Sequence, residues 1–184
     1  MNRPPEIIEG NAIRLRRASP ADAAGLFNAA ANPDVMKYMD WIAPKIDEET
    51  RAHLEGVVES WNSGVEFQWI IEEIASGDLA GTISCRPKGH AADFGYFLAK
   101  THWRKGIASA AGALVVAWLK EQPEILRIWA TADFENLQSH RVLERLGLRR
   151  EGTLQMGTYR PNIGGLPRDI AIYGWCKRDV QLER

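Results

Sequence analysis

The stretch from Asp93 to Lys120 constrains this chain more than any other. Asp93-Phe94-Gly95-Tyr96-Phe97-Leu98 reads as a strand, Ala99–Lys105 as a loop, and Gly106 to about Lys120 as a long helix ended by Pro123. That helix carries Ile107, Leu114, Val115, Val116, Trp118 and Leu119, so it is apolar nearly all round and belongs in the interior. A strand feeding a buried helix through a short loop calls for a mixed α/β layer arrangement. The same joint carries the first chemical signal. The leading N–H groups of a helix have no intrahelical partner, and with the helix dipole they favour an anion, most often phosphate. Gly106 and Ala108 let such a group approach the main chain of Gly106-Ile107-Ala108-Ser109, and Arg104 and Lys105 add positive charge. From these residues alone, a short loop with an incidental glycine is the alternative. Lys105-Gly106-Ile107 is not Gly-Lys-Ser/Thr and lacks the upstream glycine of a triphosphate loop; the dinucleotide fingerprint is also missing. What remains is a phosphate-bearing cofactor of another kind.

The rest of the chain alternates in the same manner. Residues 11–18 read as a half-buried strand, with Ile13 and Leu15 on one face and Arg14 and Arg16 on the other. Ser19-Pro20 opens a helix over about 20–31, and Asn32-Pro33 stops it. Residues 34–46 read as loop with Met36, Tyr38, Met39 and Trp41 exposed, and Asp47 caps a helix to about Trp61. Val65–Ile74 and Leu79–Arg86 form a hairpin around Ala75-Ser76-Gly77-Asp78. Arg127–Ala132 is a strand, Asp133–Gln138 a loop, and Ser139–Leu146 a helix stopped by Gly147. Two strands follow, about Arg149–Tyr159 and Ile170–Trp175. A length of 184 residues suits one domain, expected over 11–178, with a loose arm at 1–10 around Pro4 and Pro5 and a tail at 179–184.

Composition narrows the partners. Lys plus Arg is 23 and Asp plus Glu is 24, a net charge of −1, so the basic footprint of a nucleic-acid or anionic-membrane binder is absent. Cys85 and Cys176 sit in no CxxC or His-rich cluster, which argues against a metal site and a disulfide framework; both read as inert buried thiols. No apolar run approaches 18 residues and the opening MNRPPEIIEG is no secretory signal, so a cytoplasmic protein is expected.

Three motifs together resemble one family. Trp103-Arg104-Lys105-Gly106-Ile107-Ala108 resembles the cofactor loop of the GNAT acetyltransferases, in the W-x-K-G-x-A form of the RimJ/RimL-type ribosomal-protein-alanine acetyltransferases. The run from Asn136 to Leu148 (NLQSHRVLERLGL) resembles that subfamily's N-x-x-S-x-x-V-L-E-K-L-G-F, and Arg168-Asp169-Ile170-Ala171-Ile172-Tyr173 its closing R-D-x-x-x-Y strand. The resemblance spans about residues 11–178. It implies the GNAT acyl-CoA N-acyltransferase fold, a mixed and mostly antiparallel sheet of about seven strands flanked by about four helices.

It further implies acetyl-CoA as donor, no metal, and direct attack by a primary amine in a ternary complex. The diphosphate would rest on the N–H groups of Arg104, Lys105, Gly106, Ile107, Ala108 and Ser109. The pantetheine would lie where strands 93–98 and 127–132 splay apart, with an N–H near Phe97 or Leu98 facing the thioester oxygen. Asn136 would bond the cofactor arm or fix its own loop. Ser139, placed by the resemblance beside the leaving sulfur, is equally well read as the N-cap of helix 139–146. Leu143 stands where many small-molecule relatives have an acidic Tyr, Ala110 where the subfamily often has Glu, and Trp103 where many relatives have Gln or Arg. Thr158 stands near where the ribosomal-protein enzymes carry a Glu base. Glu72, Glu73 and Asp93 are candidate bases acting through water, or solvated strand residues. His102 and His140 read as surface positions, Asp169 as an ion-pair partner, and Tyr38, Trp41, Trp61 and Tyr159 as possible pocket walls.

A site without a dedicated base favours a weakly basic amine. At pH 7 a free α-amine, of pKa roughly 7.7–8.0, costs about 1–1.4 kcal/mol to deprotonate, against about 4.6 kcal/mol for a lysine. The expected acceptor is therefore a protein N-terminal α-amine. The alternatives are a small amine such as a polyamine, amino acid or aminoglycoside, a non-catalytic acyl-CoA sensor, and a phosphate-binding domain unrelated to CoA. A monomer or homodimer is expected.

Overall fold

Side-chain alternation builds the sheet. In β2 (Ile13–Arg17), Ile13 and Leu15 are buried while Arg14 and Arg16 turn to the opposite face. The expected hairpin forms as β3 (Phe67–Glu73) and β4 (Leu79–Lys88), followed by β5 (Ala91–Leu98), β6 (Arg127–Asp133), β7 (Arg149–Thr158) and β8 (Arg168–Cys176). The structure is a computed structural model that describes residues 2–177. The expected tail at 179–184 lies outside the described residues, as does the last residue of the 11–178 segment.

Residues 1–10, expected as a loose arm, carry a strand instead: β1 (Ile7–Glu9) pairs antiparallel with β2. Pro4 is buried, and the Pro5 carbonyl accepts from the Trp69 indole N–H at 3.1 Å. The two prolines therefore dock the arm rather than free it. With β1 the sheet has eight strands among the described residues, ordered β1-β2-β3-β4-β5-β6-β8-β7, and β5–β6 is its parallel pair.

Helices cover both faces. A 3-10 turn (Pro20–Asp22) precedes α1 (Ala23–Ala30), and Ser19 and Asp22 cap each other across it. Asn32-Pro33 both ends α1 and starts a short helix, α2 (Pro33–Met36), because the Asn32 side chain accepts from the Asp34 amide at 3.0 Å. That helix corrects the loop expected at 34–46, and it buries Met36 completely. Next come α3 (Asp47–Ser63), α4 (Ile107–Glu121) and α5 (Leu137–Arg145). Ile46 rather than Asp47 stands at the N-cap of α3.

One core lies between the sheet and α4, joining Phe67, Trp69, Ile83, Val115, Leu119 and Ile128. The other lies under α1 to α3 and joins Leu26, Met36, Leu54, Ile70 and Phe97. Trp61 packs edge-on to Phe67 and Trp69 with centroids 5.2 and 5.1 Å apart, so it is core rather than pocket wall. Cys85 is buried, whereas Cys176, expected buried, is exposed near the end of β8. No helix of the described residues is long and apolar enough to cross a membrane.

Candidate active site

The cleft begins where β5 and β6 part. Their parallel ladder holds at Ala91↔Arg127, Ala92↔Ile128 and Asp93↔Trp129 and goes no further. Beyond it β5 stays paired to β4 through Leu98, and β6 to β8 through Asp133. The facing edges of β5 and β6 are thus left with unpaired backbone groups inside the sheet. Alternation shows which ones. The Ala99 amide donates to the Ala80 carbonyl at 2.8 Å, and Phe97 stands opposite Thr82 and Leu98 opposite Gly81. The Phe97 amide therefore points to β4, and the amides of Leu98 and Tyr96 point into the gap. Of the two backbone donors named from the sequence, the geometry favours Leu98 over Phe97; the Phe97 ring instead packs against Trp41, centroids 6.1 Å apart.

Two hollows meet at this gap. A groove of about 430 Å³ runs past Leu98, Arg104, Gly106, Ile107, Ala108 and Ser109. A larger cleft of about 820 Å³ lies on the other side, lined among others by Trp41, His53, Arg86, Asp133 and Arg160. Tyr96, Phe97, Asn136 and Ser139 line both.

The groove ends at the head of α4. Arg104 and Gly106 adopt left-handed φ of 64° and 80°, which turns the chain sharply into the helix. The first helical hydrogen bond runs from the Ala110 amide to the Gly106 carbonyl at 3.0 Å. The amides of Ile107, Ala108 and Ser109 are left without helical partners. A Cβ built on Gly106 meets nothing within 4 Å, so the space over this turn is open. Trp103 supports the turn by donating its indole N–H to the Leu98 carbonyl at 2.9 Å. Lys105 does not line the groove; its Nζ lies 3.9 Å from a Glu73 carboxylate oxygen.

At the junction, Asn136 is the N-cap of α5, its side chain accepting from the Ser139 amide at 3.2 Å. Ser139 is thus inside the helix rather than its cap, and its hydroxyl lies 3.3 Å from the Tyr96 hydroxyl. Burial pushes the Tyr96 phenol up, and the Ser139 hydrogen bond opposes that rise. No sequence motif marks Tyr96. The signal available was its parity with Leu98, which aims both amides at the same edge.

Several candidates are placed elsewhere. Glu72 lines neither hollow; Arg14 and Arg16 hold its carboxylate, with Arg16 Nε at 2.8 Å, and keep it below the usual range. Glu73 faces His102 at 3.5 Å, and His102 is buried, not a surface residue, because the 3-10 turn Lys100–His102 tucks it in. Asp93 lines the larger cleft but is ion-paired with Arg86, which also bonds Glu66 at 3.1 Å. His140, expected exposed, shares a hydrogen bond with the Tyr173 hydroxyl at 2.9 Å. Asp169 accepts from the Met156 amide at 2.9 Å, at the irregularity in β7, rather than pairing with an arginine. Tyr38 and Trp41 line the larger cleft; Tyr159 and Thr158 do not. Asp133, read as the start of a loop, proves central: its buried carboxylate takes Arg168 Nε at 2.7 Å and Nη2 at 3.0 Å, with Arg160 Nε at 3.7 Å.

Residues 12–149 match the family model described as the acetyltransferase (GNAT) domain. The chain is 27% identical to the uncharacterized N-acetyltransferase YoaA of Bacillus subtilis (strain 168), over 93% of this chain and 97% of that protein. Among solved structures, it superposes on the ribosomal L7/L12 alpha-N-protein acetyltransferase RimL in complex with coenzyme A with a TM-score of 0.83 and 23% identity, covering 93% and 98% of the two chains. A GNAT-family acetyltransferase from Bacillus anthracis aligns with a TM-score of 0.79 and 25% identity, covering 92% and 98%.

Proposed function

The chain belongs to the GNAT acetyltransferase family, and we propose that it moves an acetyl group from acetyl-CoA to a primary amine, the N-terminal α-amine of a peptide, within a domain at residues 11–178 in the cytoplasm. The observation that carries this reading is the parting of β5 and β6, with the free α4 amides at one end and Ser139 and Tyr96 at the junction. Three unpartnered amides under an open turn fit a diphosphate, and the open strand edges fit an amide-bearing arm.

Acetyl-CoA supplies an activated thioester carbon. The acceptor nitrogen attacks it, the C–N bond forms as the C–S bond breaks, and the proton given up by nitrogen balances the thiol released. The Leu98 amide donates to the oxygen that gains negative charge. The Ser139 hydroxyl, next to that of Tyr96, donates to the departing sulfur. The Ile107, Ala108 and Ser109 amides anchor the cofactor, assisted by the charge of Arg104, and Asn136 holds the start of α5 in place. Lys105 assists through its charge alone, since its side chain turns to Glu73.

A small-amine acceptor is the second reading, favoured by one feature. Asn162 donates to the carbonyls of Met36 and Trp41, each at 2.8 Å, and accepts from the Ala43 amide at 3.0 Å. These bonds hold the 36–43 segment, whose residues Tyr38 to Ile42 line the larger cleft.

Following CoA release across a panel of amines tests both. An Ala- or Ser-starting peptide should turn over at least about tenfold faster than the same peptide with its α-amine blocked and a free lysine. Ser139→Ala should lower kcat about tenfold, the loss of one transition-state hydrogen bond, while the KM for acetyl-CoA stays within about twofold. Faster lysine acetylation would overturn the α-amine assignment. Coenzyme binding by calorimetry with no turnover on any amine would make the protein a sensor instead.

A further inference from the structure

Arg160 follows β7 and lines the larger cleft together with Asp133, Asn136 and Ser139. It is 7% exposed. A guanidinium carries five N–H donors, and burying them unpaired is costly. Yet the Arg160 Nε is fully buried without a hydrogen-bond partner. The nearest acid, Asp133, stands 3.7 Å from that nitrogen, too far for a hydrogen bond. Both Asp133 oxygens are already taken by Arg168, and one also accepts from the Glu135 amide at 3.1 Å. Asp40, the other acid acting on Arg160, is exposed. Burial is the largest influence on Arg160 and disfavours its charge, against the pull of these two acids.

We propose that Arg160 receives a carboxylate carried by the acceptor, so that the preferred amine bears an acid group a few bonds away. This rests on the acetyl-transfer reading above and names its substrate class. The carboxylate has two sources with the same chemistry: an acidic side chain next to a peptide's N-terminal residue, or the α-carboxylate of a free amino acid. The flat fork of a guanidinium matches the two oxygens of a carboxylate. A monoanion also suits the surroundings better than a phosphate dianion. Asp133, Asp40 and, through Arg168, Glu135 already place three negative charges against the two of Arg160 and Arg168.

The test compares acid and amide isosteres on the wild-type protein, as free ligands titrated into the CoA complex by calorimetry and as acceptors in a CoA-release assay. One arm sets Ser-Asp and Ser-Glu peptides against Ser-Asn and Ser-Gln. The other sets free amino acids against their α-carboxamides. In one arm the acid should bind at least about tenfold tighter than its amide, the worth of a charge-assisted pair. The arm that discriminates identifies the source. In Arg160→Gln the ratio should fall to about one, and Arg160→Lys should keep part of it. Acid–amide ratios within about twofold in both arms would overturn the proposal, as would an unchanged ratio in a folded Arg160→Gln protein or tighter binding of phosphoserine than of aspartate peptides. The wild-type comparison needs no variant to fold. Turnover without acid preference sinks this inference alone, and acid preference in calorimetry without turnover sinks the acetyl-transfer reading alone.

Discussion

Asp133 ends β6 with its carboxylate fully buried between Arg168 and Arg160. Burial is the strongest influence on that carboxyl and pushes it up, but the Arg168 hydrogen bonds, the Glu135 amide and the two guanidinium charges together hold it below the ordinary 3.8. Asp133→Asn keeps the shape and removes the charge that Arg168 bonds and Arg160 faces. Chemical denaturation should show a loss of about 3–5 kcal/mol, the usual cost of breaking a buried pair from one side. The sign of the pH effect follows from the depressed value. The stabilisation is fully present above the ordinary carboxylate range and disappears as pH falls through the lowered one. The gap between wild type and Asp133→Asn should therefore be wide at pH 7 and shrink in strong acid. Equal denaturation midpoints at pH 7 would show that Asp133 is not what anchors this wall. The sequence gives no warning of this residue, because Arg168 reaches it across 35 positions and local patterns carry no such information. Ser139 was ambiguous for a different reason. Asn and Ser are both good caps three residues apart, and the hydrogen bond from the Ser139 amide to Asn136 is what decides between them.

The head of α4 is where a single element builds the candidate cofactor site, and Gly106 is the place to probe it. Its φ of 80° costs a branched residue about 1–2 kcal/mol, while the space beyond its Cα is open. Gly106→Val should therefore fold with a modest drop in stability and raise the KM for acetyl-CoA at least about tenfold, by intruding on the approach to the Ile107–Ser109 amides. An unchanged KM in a folded variant would remove this turn from cofactor binding. Elements of this kind were legible because their signals are local. The apolar run of α4, the turn between β3 and β4, and Gly147 after α5 all act within a few residues. What lay beyond reach was pairing between distant segments. β1 is three residues long and exists because β2 offers it an edge. The short α2 helix looked like loop because four residues show no periodicity, and Met36 is buried by packing under α1 and α3 rather than by its own neighbourhood. The parting of β5 and β6 came only through resemblance to a family, since no residue pattern in either strand records where their ladder ends.

Across the whole molecule, both hollows open at one parting in one sheet, and Tyr96 and Ser139 line both, which is where the proposed reading brings donor and acceptor together. The charges around that meeting point are mostly committed. Asp133 serves Arg168, Asp93 and Glu66 serve Arg86, and Glu72 serves Arg14 and Arg16 away from the cleft. A carboxylate locked to an arginine is a poor proton acceptor, since accepting would break the pair. Thr158, near the position where the resemblance puts a base, lies outside the cleft and has no basic group to offer. Asp40 and Glu49 also line the cleft, Glu49 accepting from the Lys45 amide at 2.8 Å. On the proposed reading the acceptor nitrogen arrives already neutral, with the pH of the solution setting how often it does. For an Ala- or Ser-starting peptide, kcat/KM should rise about tenfold per pH unit and level off near the α-amine's own pKa, roughly 7.7–8.0. Replacing the terminal residue so as to lower that pKa should move the bend down with it, because the titrating group belongs to the substrate. A lysine acceptor would keep rising toward about pH 10. A bend that stays put when the acceptor changes, and vanishes in His53→Gln, would instead place the base on α3, where His53 stacks on Trp41 and faces the same cleft.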